Sequence, residues 1–202
     1  MKFETAAPNL ENALRNIKPY TSTDDATKVL HHIRVRFTET DVVVDATDRY
    51  AVAQYRIPRL DAGGSGSFLV HKSALDVLLP ALKQQKFGVG VSVGDELTVA
   101  GVSVPLGDGD FPAVERLWPA SLPEPSGPFA LQPSALKRLG QYKPMGRGDN
   151  SPWQLFAGES RKPIVVLRGE FFRVLVMGVG EASSLLSRAD GWYSEWENVS
   201  SS

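Results

Sequence analysis

The chain has 202 residues, 42% of them hydrophobic and 22% charged, with 22 basic against 23 acidic side chains and a net charge of −1. That balance is ordinary for a folded protein with a sizeable core and excludes a generally basic nucleic-acid binder. The absence of cysteine excludes disulfides and thiolate metal sites.

The opening segment "MKFETAAPNL" lacks the apolar stretch of a signal peptide, and no apolar run approaches the ~18 residues of a membrane span. The expected setting is cytoplasmic, away from membranes. In chain order, the first element with a clear period is a helix: Leu10, Ala13, Leu14 and Ile17 fall on one face. Asn9 is its expected N-cap and Pro19 its stop. "KVLHHIRVRF" (28–37) then alternates as a strand, followed across short turns by "VVVDA" and "YAVAQYRI". A second helix carries Leu75, Leu78, Leu79 and Leu82, with a kink expected at Pro80, and leads into "FGVGVSV", "ELTVA" and "VSVPL". A third places Leu136, Leu139 and Tyr142 on one face before "WQLFAG", "KPIVVL" and "FFRVLVMGV".

The three helices share an introduction. "FETAAPNL" (3–10), "FLVHKSAL" (68–75) and "FALQPSAL" (129–136) each run from Phe to Leu. The chain therefore reads as three copies of a strand–helix–strand–strand–strand module, an α+β class. The expected division is a two-module domain over 1–119 (modules 1–60 and 64–119), a third module over 126–180, and a tail over 181–202 with Trp192, Tyr193 and Trp196.

The helical segments concentrate positive charge in Arg15, Lys18, Lys72, Lys83, Lys86, Lys137, Arg138 and Lys143. On one shared surface these residues form a basic stripe suited to phosphates without base readout. Solvated helix faces are the plainer alternative.

Asp45 precedes and Asp48 lies within a tight turn at Thr47-Asp48-Arg49, and at odd spacing they point to opposite faces, which suits structural carboxylates better than a metal or acid–base pair. His31 and His32 are expected on opposite sides of a strand, with His71 just before a helix. Asp108 and Asp110 lack a third ligand for a cation. No catalytic constellation, phosphate loop, cofactor site or metal site is apparent, so the expectation is no enzyme and no cofactor. "RGD" at 147–149 and the sequon "NVS" at 198–200 carry no meaning without secretion.

The repeat, together with "ATDRYAVAQYRIP" (46–58), "GDGDFPAVERLWP" (107–119) and "KPIVVLRGEFFRVLVMGVG" (162–180), resembles the bacterial-type DNA sliding clamp, the β subunit of the replicative polymerase. The resemblance implies a DNA-clamp fold, with helices on one face of antiparallel sheets. It also implies a homo-oligomeric processivity factor that encircles duplex DNA, with polymerase and clamp-loader peptides as partners. The family's hydrophobic peptide cleft maps onto Thr47, Tyr50, Val52, Pro119, Val176, Met177 and Val179. Three modules stand where full-length clamps carry six, and Met177-Gly178 replaces the usual Met-Pro. A clamp-like interaction module that never encircles DNA is therefore the alternative reading.

Overall fold

The structure is a computed structural model that describes residues 1–124, 130–145, 150–158 and 162–178. Val179, the "RGD" stretch and the aromatic tail lie outside the described residues. Module 1 supplies strands β1 (Lys2–Ala6), β2 (His32–Phe37), β3 (Asp41–Thr47) and β4 (Ala51–Pro58) with helix α1 (Ala7–Ile17). Module 2 supplies β5 (Gly66–His71), α2 (Leu75–Lys83), β6 (Gly88–Val93), β7 (Glu96–Val99) and β8 (Val102–Pro105). Module 3 supplies α3 (Pro133–Gly140), β9 (Trp153–Phe156), β10 (Ile164–Arg168) and β11 (Phe172–Val176).

The strands form two antiparallel sheets, ordered β1-β6-β7-β8 and β5-β2-β3-β4-β11-β10-β9. Modules 1 and 2 exchange their first strands: β1 pairs with β6, and β5 pairs with β2. An isolated bridge closes each outer edge in the same way, Thr5 to Arg59 and Leu69 to Gly107. Module 3 joins by a different edge, β4 to β11, with Ala51 opposite Val176 and Val52 opposite Leu175.

Period-2 alternation decides what each strand buries. Val42, Val44 and Ala46 of β3 face the helices and join one core with Ile33, Val35 and Phe37, while Val43, Asp45 and Thr47 face outward. Leu10, Leu14 and Ile17 of α1 close that core at 4%, 4% and 0% exposure. Each such side chain contributes roughly 1.5–3 kcal/mol of burial.

Several expectations need correction. Helix α1 begins at Ala7, not beside an Asn9 cap, and has no side-chain cap bond; Pro8 already has the φ that a first turn requires. The proline expected within α2 does lie inside it, with Pro80 exposed on the solvent side. Residues Asp25–His31 wind as a 3₁₀ segment capped by Asp24, so the strand expected from Lys28 starts at His32. Ala130–Gln132 form no strand ahead of α3. The buried face of α3 is Ala135 and Leu139, leaving Leu136 exposed. At the β7–β8 turn, Ala100 and Gly101 both have positive φ (52° and 79°), the backbone that two-residue hairpins with right-handed twist require.

Candidate functional site

The two aspartates of the β3–β4 turn have separate structural tasks. Asp48 Oδ1 accepts the backbone N–H groups of Tyr50 and Ala51 at 3.0 and 2.9 Å, and its other oxygen pairs with Arg138 of α3. Thr47 Oγ1 accepts the Arg49 N–H at 3.2 Å and donates to Ala51 O at 2.8 Å. These bonds hold Arg49 at φ 78°, a region a non-glycine residue enters only when local bonds fix it. Asp45 faces the other way, fully buried, with Arg34 Nε at 3.1 Å and Arg36 Nε at 2.8 Å.

Arg34 also donates to Glu115 at 2.7 Å and lies over the Phe111 ring, while Arg173 lies 4.1 Å from the Trp118 ring centroid. The segment 111–118 is thereby held on the outer face of the sheet. Under it Val52, Val114, Val165 and Leu175 form a second apolar cluster. The hydrogen bond and charge of Arg34 hold the Glu115 carboxyl below the usual carboxylate range.

All three helices lie on the opposite, inner side. α1 packs beside α2, and Asn12 and Asn16 of α1 donate to the carbonyl of Lys143, just past α3. Half of the expected basic stripe is already committed within the chain. Arg15 pairs with Glu11, Lys18 with Asp76 at 2.7 Å, Lys72 with the Ser22 carbonyl at 2.6 Å, and Arg138 with Asp48. Lys83, Lys86, Lys137 and Lys143 are exposed, and among the described residues none of the four side chains has an ion pair.

The residues expected to form one cleft divide between two, one on each side of the β4–β11 seam. On the helix side, Tyr50, Val176 and Met177 line a cleft of about 490 Å³ with Gln132, Ser134 and Arg138. On the outer side, Pro119 lines a second cleft of about 490 Å³ with Leu117, Pro123, Lys162, Pro163 and Leu175. Val52 packs with Leu175 and Thr47 lies opposite Val52, both nearly covered on the outer side. Strand parity separates Val176 from them. The outward residue of β11 at this level is Leu175, which the sequence reading missed because the β4–β11 register was not available to it.

The three histidines, expected apart, come together: the His71 ring lies 6.0 Å from His31 and 5.1 Å from His32. No group of three His, Asp or Glu side chains among the described residues has the geometry of a metal site. Burial, then His32, His31 and Lys72, lower the pKa of His71 below that of a free imidazole. A depressed histidine is uncharged in the fold while the unfolded chain takes up the proton, so stability falls as pH drops from about 6.5 through the lower folded value. Denaturant unfolding at pH 7.5 and 5.5 should show that loss, and His71→Gln should remove most of it. An equal pH dependence in the variant would assign the loss elsewhere.

Neither the protein-family models nor the curated proteins contain a match to this chain. Solved structures do match. The DNA polymerase III subunit beta from Pseudomonas aeruginosa aligns with TM-score 0.73 over 89% of this chain at 14% identity, and the β subunit from Thermotoga maritima with TM-score 0.73 over 90% at 12%. The sliding clamp from Bacillus subtilis gives 0.70 over 89% at 12%. The chain spans 64–66% of the length of these proteins. The fold is that of the sliding clamps, as the repeat and the motifs indicated. No helix among the described residues is long and apolar enough to cross a membrane.

Proposed function

We propose that this chain is a subunit of a cytoplasmic DNA sliding clamp, a non-enzymatic processivity factor that closes around duplex DNA as a homo-oligomer. The observation that carries this reading is the arrangement of layers. Three helices share the inner side of edge-joined sheets, and they present Lys83, Lys86, Lys137 and Lys143 exposed and unpaired among the described residues. Exposed lysines on flexible stems hold phosphates loosely and read no sequence, which permits sliding. Because the inner helices hold half of their cations in internal pairs, the DNA contact is weak for a single subunit and depends on encirclement.

The partner-peptide seat in this reading is the outer cleft. Leu117, Pro119, Pro123, Pro163 and Leu175 give it mostly apolar walls, with Lys162 and Glu124 at the edge. A concave apolar site with a few polar groups suits a short hydrophobic peptide. The helix-side cleft is lined by Gln132, Ser134 and Arg138 and is less suited, with Tyr50 and Met177 as exposed flanks. Leu117 is 55% exposed, so it can be changed without emptying the core. Leu117→Asp should weaken binding of a fluorescent replicative-polymerase peptide at least tenfold, about 1.4 kcal/mol. Tyr50→Ala and Met177→Ala should have smaller effects. Undiminished affinity in the Leu117 variant, measured by fluorescence polarisation, would discard the outer cleft.

A further inference from the structure

Module 3 leaves exposed what modules 1 and 2 bury. The three octapeptides end at Leu10, Leu75 and Leu136. Leu10 and Leu75 are 4% and 0% exposed, whereas Leu136 is 55% exposed. The strands tell the same story. β2 and β6 are the second strands of modules 1 and 2, and each has a neighbour on both sides, the outer one being the first strand of the other module. β9 is the second strand of module 3, and among the described residues it pairs only with β10. Its Gln154 and Leu155 are exposed, while Ile33, Arg34 and Val35 of β2 are buried.

Modules 1 and 2 cover each other by a reciprocal exchange, the arrangement a two-fold produces. Each gives its first strand to the other's second strand, and α1 packs beside α2. Module 3 carries the same repeat and has no fourth module among the described residues to reciprocate. An unprotected strand edge beside exposed leucines is a surface that a lasting monomer normally blunts with charge or covers. On α3 only Lys137 and Arg138 are charged, and Arg138 is held by Asp48.

We propose that module 3 of a second copy of this chain covers this face about a two-fold axis, as module 2 covers module 1. The contact is isologous, so each copy buries Leu136 and Leu155 against the same surface of the other. The segment leading into α3, Ala130–Gln132, then pairs with β9 of the other copy, as β1 pairs with β6. Among the described residues the dimer carries two further free edges, one β8 per copy. β8 is the last strand of module 2, just as β4, which holds β11, is the last strand of module 1. The inference deepens the ring reading above, but its test needs neither DNA nor peptide, so the two fail separately.

The test is the mass of the full chain by light scattering across a concentration series, for the parent and for Leu136→Glu, Leu155→Lys and Phe87→Glu. Phe87 is 83% exposed and lies on module 2, so its variant controls for loss of surface apolarity. Far-ultraviolet circular dichroism confirms that each variant is folded. The expected result is a parent of at least two chains. Leu136→Glu and Leu155→Lys should each raise the dissociation constant of the module 3 contact at least a hundredfold, and Phe87→Glu should behave as the parent. A parent that stays monomeric throughout overturns the proposal. So does an oligomer that both module 3 variants leave intact, because its interface must then lie elsewhere.

Discussion

Asp45→Ala should lower the unfolding free energy by about 3 kcal/mol, the lower end of what breaking a buried ion pair costs. The carboxylate is fully buried and takes the Nε groups of both Arg34 and Arg36. Its removal strands two cations on the covered outer face of the sheet. Two facts hold the loss at the lower end: Arg34 keeps Glu115, and the Arg36 side chain is 31% exposed. Glu115→Ala serves as comparison. Its carboxylate is 47% exposed, so its loss should cost less than about 1 kcal/mol. Because Arg34, which Asp45 holds, anchors segment 111–118 above Val52 and Leu175, Asp45→Ala should also weaken peptide binding in the proposed neighbouring cleft, whereas a purely local effect would leave it unchanged. Urea unfolding of both variants decides the matter. A loss below about 1 kcal/mol for Asp45→Ala would mean that water or another group already satisfies the arginines.

The second large effect concerns DNA. Replacing Lys83, Lys86 and Lys143 together by glutamate should abolish retention on DNA while leaving the Leu136 face and the internal pairs untouched. Each phosphate left without its lysine takes about 0.9 from the slope of log affinity against log salt. Three such phosphates per chain flatten that slope by up to about 2.7, and the added glutamates repel the backbone besides. The equivalent change at Lys18 and Lys72 should matter less, since those side chains already pair with Asp76 and the Ser22 carbonyl. Unchanged retention of the triple variant at low salt would remove the helices from the DNA-facing surface.

Much of this architecture was legible in the residues because it is carried by local period and by repetition. The alternation of residues 28–37 marked the strand that carries Ile33, Val35 and Phe37 into the core, and the i, i+3, i+4, i+7 spacing of α1 marked Leu10, Ala13, Leu14 and Ile17. The turn chemistry of Thr47 and Asp48 was equally local. What escaped were the features set by partners distant in sequence. Leu136 matches Leu10 and Leu75 in the repeat, so pattern alone buries it. Its exposure depends on what packs over that face of α3 among the described residues, which no helical period records. Val176 and Leu175 take opposite faces of β11 because one residue of register turns a side chain to the other side. The gathering of His31, His32 and His71 depends on the pairing of β5 with β2, which places His71 opposite His32 across modules. Arg138 looked like a free cation on α3 until the fold brought it to Asp48.

Retention on closed-circular against linearised plasmid, with loading by the cognate clamp loader and gel filtration at moderate salt, tests the central claim most directly. A clamp that works by encirclement stays with the circle and is lost when a single cut lets it slide off the ends. Equal retention on both forms, or on neither, would contradict encirclement and leave a clamp-fold protein that acts through its outer cleft alone.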